Sequence, residues 1–287
     1  MANLRDLRKR RKSAASTKKI TRTMELVASA KLKKAQDAAA ASRPYAEALR
    51  TLVARLVATG GSHPLLKAKR DSSGRVLLLV AASDRGLCGS FNANLAALAV
   101  EAAKAHAAAG RTVDVIALGR KGGSTLAFLG FTPKDVRSKL VGATRYADAE
   151  AVANEAIAAF LAGAYASVEV VYARFVSAAR QVPDRFVLLP AGQDADAGAP
   201  VKGDCEYIPD ADAVLAGVVP MAVRTALYSA LLQTSAAEHA ARRVAMKNAS
   251  DAASDMVRSL NLAYNRGRQG KITQEIAEIV GAVEAMA

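Results

Sequence analysis

The stretch "RVLLLVAASDRGLCGSFNANLAALAV" (Arg75–Val100) decides the fold of the middle of this chain. Val76–Ala82 is an unbroken apolar run, the pattern of a strand buried on both faces. "SDRGLCGS" (Ser83–Ser90) follows as a glycine-flanked turn, and the Ala-rich segment from Leu95 to Ala109 reads as a helix. The same alternation continues. "TVDVIAL" (Thr112–Leu118), "VEVVYARFV" (Val168–Val176) and "RFVLLP" (Arg185–Pro190) read as strands. Ser124–Leu129 and Asp148–Gly163 read as helices. Apolar strands alternating with helices predict an α/β layer with a largely parallel sheet. "PAGQDADAGAPVKG" (Pro190–Gly203) has the composition of a linker.

The two ends differ from this middle. Met1–Arg43 contains no Gly, no Pro and no aromatic residue, and is rich in Ala, Lys, Arg and Leu. Ile20, Met24 and Val27 step by four and three, which predicts a face buried against another helix. Pro44 is a candidate kink, yet "YAEALRTLVARLVA" resumes the period up to the breaker cluster "GGSHP" (Gly60–Pro64). Met221–Arg266 again lacks Gly and Pro, with Asp210 as a candidate N-cap and Pro220 as a candidate bend. Ile272, Ile276, Ile279 and Val283 extend the stripe towards the C-terminus. At ~1.5 Å per residue these helices would be roughly 80 and 100 Å long, more than a compact domain needs. They predict a shaft formed by pairing the chain's two ends.

The expected fold class is α/β: a long antiparallel coiled coil of the N- and C-terminal helices plus a central Rossmann-like α/β domain. The expected boundaries are an N-terminal shaft helix over residues 1–60, the α/β domain over 72–203, and a C-terminal shaft helix over 209–287 that pairs with 1–60.

The 287 residues carry a formal charge of +14. Residues 1–34 hold twelve basic side chains opposed only by Asp6 and Glu25, so most of the excess sits on one segment. Such a segment expects an acidic partner. Cys88 and Cys205 are far apart, which excludes a disulfide framework and suits a reducing compartment. No apolar run is seen to approach the ~20 residues that cross a bilayer. The Arg-rich start runs unbroken into the first helix and reads as mature sequence, not a transit peptide or secretory signal.

Three chemical readings compete. Gly86-x-Cys88-x-Ser90 resembles a nucleophile elbow without its last glycine. A nucleophilic cysteine needs a base, and no motif places His63, His106 or His239 beside it; a buried, inert thiol is the commoner state. "GRKGGST" (Gly119–Thr125) follows a strand and opens a helix, yet its order is wrong for a P-loop and it fails G-x-G-x-x-G. A tight βα turn explains it better. The basic N-terminal helix suggests nucleic acid, and a basic coiled-coil nucleic-acid-binding protein is the alternative function. It lacks the aromatic side chains that single strands stack on.

Four ordered motifs carry a resemblance: "TKKITRTMELVASAKLKKAQ" (Thr17–Gln36), "SDRGLCGSFN" (Ser83–Asn92), "ARRVAMKNASDAA" (Ala241–Ala253) and "LNLAYNRGRQGKITQEIAEIV" (Leu260–Val280). With the fainter "RPYAEAL" and "QVPDRFVLLP", the whole chain resembles the gamma subunits of F-type ATP synthases. The resemblance implies a non-catalytic central-stalk rotor subunit that couples proton flow through a membrane ring to conformational cycling of catalytic subunits. The implied partners are the alpha and beta subunits of the catalytic ring, the epsilon subunit and the membrane rotor ring. No nucleic acid is expected, and membrane contact only through the complex. It implies no catalytic residue, cofactor or metal in this chain, and a peripheral place on the cytoplasmic side of a bacterial inner membrane.

By motif match, Lys19, Ile20, Thr21 and Met24, with Arg242, Val244 and Met246, would meet the acidic lever segments of the catalytic subunits. Gln274 and Glu275 would face an upper sleeve, and the apolar tip Ile276, Ile279 and Val283 would turn in an apolar bearing. Laying Met24 level with Arg242 puts Ala38 beside Tyr228 and Ser229. "RKRRKS" (Arg8–Ser13) departs from the family by placing charge where an apolar contact is usual. The inserted cysteine pair of the light-regulated chloroplast form is not seen.

Overall fold

The computed structural model describes residues 4–67, 74–142, 144–192, 207, 208 and 210–286. Cys205, most of the 190–203 linker and both ends of the expected 72–203 segment lie outside them. The chain divides into two compact units, Met1–Val27 with Arg243–Ala287, and Ala28–Arg242.

The Ala28–Arg242 unit is built on a five-stranded sheet of order β3-β2-β1-β4-β5. Its strands are β1 (Arg75–Ala81), β2 (Thr112–Leu118), β3 (Asp135–Arg137), β4 (Ser167–Phe175) and β5 (Gln181–Leu189). β3, β2, β1 and β4 run parallel, while β5 pairs antiparallel on the edge of β4. Between them lie α2 (Phe91–Ala108), α3 (Arg120–Phe128) and α4 (Tyr146–Leu161). The side-chain period of two divides β1 between two cores. Leu77, Leu79 and Ala81 point into one, and Leu78, Val80 and Ala82 into the other. Both faces are covered, and this is why β1 carries no polar residue after Arg75. Pro183 is accommodated because β5 is an edge strand.

α1 (Leu4–Ala58) continues through Pro44, and α5 (Ala211–Glu284) continues through Pro220. Asp210 caps α5, its Oδ1 accepting from the Ala213 amide at 2.7 Å. In this unit Leu215, Val219, Val223, Leu227 and Leu231 recur every four residues on α5. They are buried with Leu77, Leu79, Phe160, Val168 and Val170, and with Val53 and Leu56 of α1. Each such side chain contributes about 1.5–3 kcal/mol of transfer free energy. An eighteen-residue window of α5 reaches mean hydropathy 1.6, long and apolar enough to cross a membrane, with 44% of it buried. This corrects the expectation that no run is apolar enough. The buried leucine row packs on the sheet, so the same composition serves a core helix.

Pairing of α1 with α5 is antiparallel inside each unit. In one, the Ser62 amide donates to Asp212 Oδ1 at 2.8 Å, and Leu32 and Ala35 cluster with Ala236 and Ala240. In the other, Leu4 packs on Gly267, and Arg11 lies 4.9 Å over the Tyr264 ring with Nη1 donating to Asn261 at 3.4 Å. Levelling Met24 with Arg242 would have set Leu4 against Leu262, so the predicted register is displaced by more than a turn. The predicted buried face is also corrected. Ile20, Met24 and Val27 are 57, 38 and 51% exposed, whereas Ala14, Thr21, Ala28 and Leu32 are buried. Small residues let two helix backbones approach closely, and their spacing of seven, seven and four follows a coiled-coil repeat rather than the largest side chains.

The three-residue β3 and the 3-10 turn Pro64–Leu66 had no periodic signature. α2 and α3 each begin four residues earlier than predicted.

Leu227→Ala should lower the stability of the purified chain by about 2–5 kcal/mol through cavity formation, read from the urea unfolding midpoint. An unchanged midpoint would mean that α5 does not pack as described. His239 is buried, and burial holds its imidazole below its ordinary pKa. The unfolded chain therefore binds the extra proton first, and stability falls as pH drops below about 6.5. Between about pH 7 and pH 5.5, His239→Asn should reduce the loss seen in the native chain.

Candidate functional site

The loop after β1 is closed on itself. The Ser83 amide donates to Asn92 Oδ1 at 3.1 Å, the Ser83 hydroxyl donates to the Arg85 carbonyl at 2.6 Å, and Asn92 Nδ2 donates to Ser83 Oγ at 2.7 Å and to Cys88 Sγ at 3.4 Å. Cys88 is buried among Ala82, Phe91, Leu95 and Ala237. Burial pushes its thiol up, above the ordinary cysteine range. The three histidines are occupied elsewhere. His63 Nδ1 accepts from the Leu65 amide, His106 Nε2 lies 2.8 Å from Glu169 Oε1, and His239 Nδ1 lies 3.4 Å from Arg242 Nη1. A protonated thiol with no base beside it is packing, not a nucleophile.

"GRKGGST" is consumed by packing. A Cβ on Gly119 would stand 2.2 Å from the Ala82 carbonyl oxygen, and one on Gly122 would stand 2.2 Å from Ala82 Cβ. These glycines let α3 lie against the end of β1. The amides that a phosphate would need are already taken. Asp84 Oδ1 accepts from the Arg120 amide at 3.1 Å, its Oδ2 accepts from the Lys139 amide at 2.8 Å, and the Ser83 carbonyl accepts from the Lys121 and Gly122 amides. A carboxylate at the start of a helix repels the anion that such a turn would otherwise bind.

The strand order places a topological switch between β1 and β4, where open α/β sheets bind ligands beyond the carboxyl ends of their strands. Here α5 fills that crevice. The Ala173 amide donates to Thr234 Oγ1 at 3.2 Å, Ala237 joins the core beneath the loop, and Arg242 Nη2 donates to the carbonyls of Arg85 and Gly86 at 3.4 Å. The same guanidinium holds Glu238 at 2.6 Å.

What remains for function is surface. In the Met1–Val27 and Arg243–Ala287 unit, Lys19, Ile20, Met24 and Val244 are exposed, with Leu26 and Val27 beside them on α1. Thr21 and Met246, in contrast, are buried, Thr21 Oγ1 donating back to the Thr17 carbonyl at 3.0 Å. Arg242 belongs to the other unit, where its head group is engaged inside the chain. The candidates therefore fall into a solvent-facing set and an inward-facing set. Gln274 and Glu275 are exposed and tied along the helix, Gln274 to Glu278 at 2.9 Å and Glu275 to Lys271 at 3.4 Å. Ile276, Ile279 and Val283 are all more than half exposed. Sequence reasoning missed three further exposed apolar side chains, Phe128 and Leu129 at the end of α3 and Val136 on β3. Its only trace is the "FLG" that ends α3.

A family model described as ATP synthase matches residues 3–286. Relatives described as ATP synthase gamma chain include those of Fuscovulum blasticum (40% identical over 294 residues), Pelotomaculum thermopropionicum (39% over 288) and Ruegeria pomeroyi (37% over 297). All three alignments cover the whole of both chains. Among solved structures, a central stalk/c-ring chain of the Tetrahymena thermophila mitochondrial ATP synthase is similar at TM-score 0.60 and 26% identity, over 80% of this chain and 99% of that one. A rotor chain of the Euglena gracilis mitochondrial ATP synthase has the same fold at TM-score 0.66 and 17% identity, over 94% and 98% of the two chains. Nothing in these matches favours the nucleic-acid reading.

Native chain treated with iodoacetamide should leave the Cys88 peptide unmodified, and urea-unfolded chain should label it fully, as read by peptide mass spectrometry. Rapid native labelling would place Cys88 on an accessible loop.

Proposed function

The chain belongs to the ATP synthase gamma family as a central-stalk subunit, and on that premise we propose that it works without catalytic residues of its own. It transmits rotation from a proton-driven membrane ring to the catalytic ring of alpha and beta subunits. The observation that carries this reading is the exposure of Ile20, Met24 and Val27 on a stretch of α1 that buries Ala14, Thr21 and Ala28 instead. Large apolar side chains left in water mark a docking surface. Their sliding contact with the acidic levers of the surrounding ring would be weak enough to break at every step. Lys19 and Val244 extend the same contact. The exposed Ile276, Ile279 and Val283 supply the bearing, and Gln274 and Glu275 the sleeve contact below it. Thr21 and Met246 support this contact from inside the chain, whereas Arg242 braces the loop after β1 within the other unit.

The α/β unit is the foot. Its interior is closed to ligands by α5, by Asp84 and by the packed glycines, which leaves it a rigid attachment block for the epsilon subunit and the membrane rotor ring. The bacterial origin of the relatives supports a peripheral position on the cytoplasmic side of the inner membrane. The proposed division of labour follows the elements: α1 and α5 as shaft, the sheet and its helices as foot.

Two measurements test this. Tagged full-length chain isolated from its native host should bring nucleotide-binding alpha and beta subunits and ATP hydrolysis with it. Recovery alone, or with nucleic acid only, would overturn the assignment. Met24→Lys should assemble normally while slowing proton-driven ATP synthesis severalfold. A new ammonium facing carboxylates adds an attraction of about 1 kcal/mol that must be broken at each step, and each 1.36 kcal/mol is about tenfold in rate. Synthesis at the native rate would remove Met24 from the contact.

A further inference from the structure

In the Ala28–Arg242 unit α1 is buried in two separate stretches. Ala28, Leu32 and Ala35 form the first, and Leu49, Val53 and Leu56 the second. Every residue from 36 to 48 is half-buried or exposed. The second stretch is held by the core under α5, which takes in Val53 and Leu56. The first has a small cluster of its own, Leu32 and Ala35 of α1 with Ala236 and Ala240 of α5. These are the parts of the two helices next to the unit's limits at Ala28 and Arg242. Two side chains from the sheet close the cluster: Phe175 at the end of β4, and Ala178 in the turn to β5. Phe175 also packs against the second core, the one that holds Leu95 and Ala237. One ring therefore touches both the interior of the sheet and the helix pair.

The turn that carries Ala178 is braced from within. The Ser177 amide donates to the Arg180 carbonyl at 3.0 Å, and the Arg180 amide donates back to the Ser177 carbonyl at 3.2 Å. Ser177 Oγ accepts from the amides of Ala179 at 3.3 Å and Arg180 at 3.1 Å. Gln181 Nε2 donates to the carbonyls of Ser177 at 3.1 Å and Ala178 at 3.2 Å. Just before the turn, the Ala173 amide is bonded to Thr234 of α5, and Arg174 Nε lies 3.0 Å from Asp184 Oδ2 across the hairpin. A connection that only reversed the chain would run free over the surface. This one is stiff and rests on two helices at once.

We propose that the β4–β5 hairpin is the clamp through which rotation of the α/β unit is passed to the shaft helices, with Phe175 as its positioning residue. This rests on the central-stalk reading above. Torque moves between two elements only through contacts that do not yield, and close-packed side chains transmit strain because they have little room to compress. The leucine row grips α5 along its length in this unit. Without the hairpin, α1 would meet the cores of the sheet only around Leu52–Leu56 among the described residues. Under load its other stretch would then shift against α5 rather than turn with the sheet. Phe175 and Ala178 close that gap, and the alanines at 35, 236 and 240 let the turn sit close to both helices.

The test compares two activities of the assembled complex. ATP hydrolysis by the catalytic ring and this chain, detached from the membrane, does not require torque to pass through the sheet. Proton-driven ATP synthesis by the whole complex in membrane vesicles does. Phe175→Ala should lower synthesis severalfold and leave detached hydrolysis at the native rate. Phe175→Leu keeps an apolar contact and should recover most of the synthesis. Gln181→Ala loosens the turn without touching either core, and should lower synthesis in the same selective way. It decides the matter by itself if Phe175→Ala fails to assemble. Native synthesis in Gln181→Ala and in any Phe175→Ala complex that assembles would overturn the proposal. So would an equal loss of synthesis and hydrolysis, which is the mark of a general fault in folding. Membranes of the native host that still make ATP from a proton gradient after deletion of this chain would instead overturn the central-stalk reading.

Discussion

The packing of α5 across the end of the sheet is the constraint on which the Ala28–Arg242 unit depends. A row of leucines and valines at four-residue spacing closes one core. Ala237 enters the second core beneath the loop after β1. Thr234 and Arg242 then satisfy backbone groups at the carboxyl edge of the sheet. One element thus provides apolar cover, fills the crevice and caps exposed backbone. An α/β layer of this order would otherwise open a ligand crevice between β1 and β4. Here that position is solid protein.

The same economy explains why sequence features that resemble chemistry perform none. A turn cradles phosphate only when its amides are free and its glycines leave room. At Gly119–Thr125 the amides are held by Asp84 and the Ser83 carbonyl, and the space over the glycines is occupied by Ala82. A thiol reacts only as thiolate. Cys88 is desolvated, which favours the neutral form, and the Ser83–Asn92 hydrogen bonds tie its loop to the start of α2. These groups stiffen the junction of β1, α2, α3 and α5. Stiffness is what a part that carries torque needs, and a closed interior removes competing reasons for it to move.

The terminal helices follow a different rule. Over residues 14–28 of α1 the buried positions are small, Ala14, Thr21 and Ala28, and the large apolar Ile20, Met24, Leu26 and Val27 face outward. A coiled coil built for stability alone would bury Ile20, Met24 and Val27. Left in water, they form an exposed apolar stripe on α1.

The apolar run Val76–Ala82, the gaps at Gly60–Pro64 and the long Gly- and Pro-free ends were enough to place the strands and long helices, because period and breakers act locally. Motif order along the chain was enough to identify the family. The sequence could not say which face of α1 is buried. Alanine and threonine are neutral in a hydrophobicity pattern, and their burial follows from how closely two backbones approach. Nor could it give the helix register, which rests on Leu4 meeting Gly267 and Arg11 meeting Tyr264 across more than 250 residues of sequence. β3 was invisible because a three-residue edge strand owes its existence to the neighbour it pairs with. The inward turn of Arg242 and the closing of the switch point belong to tertiary structure for the same reason: each depends on atoms brought together from distant segments, and no local pattern records them.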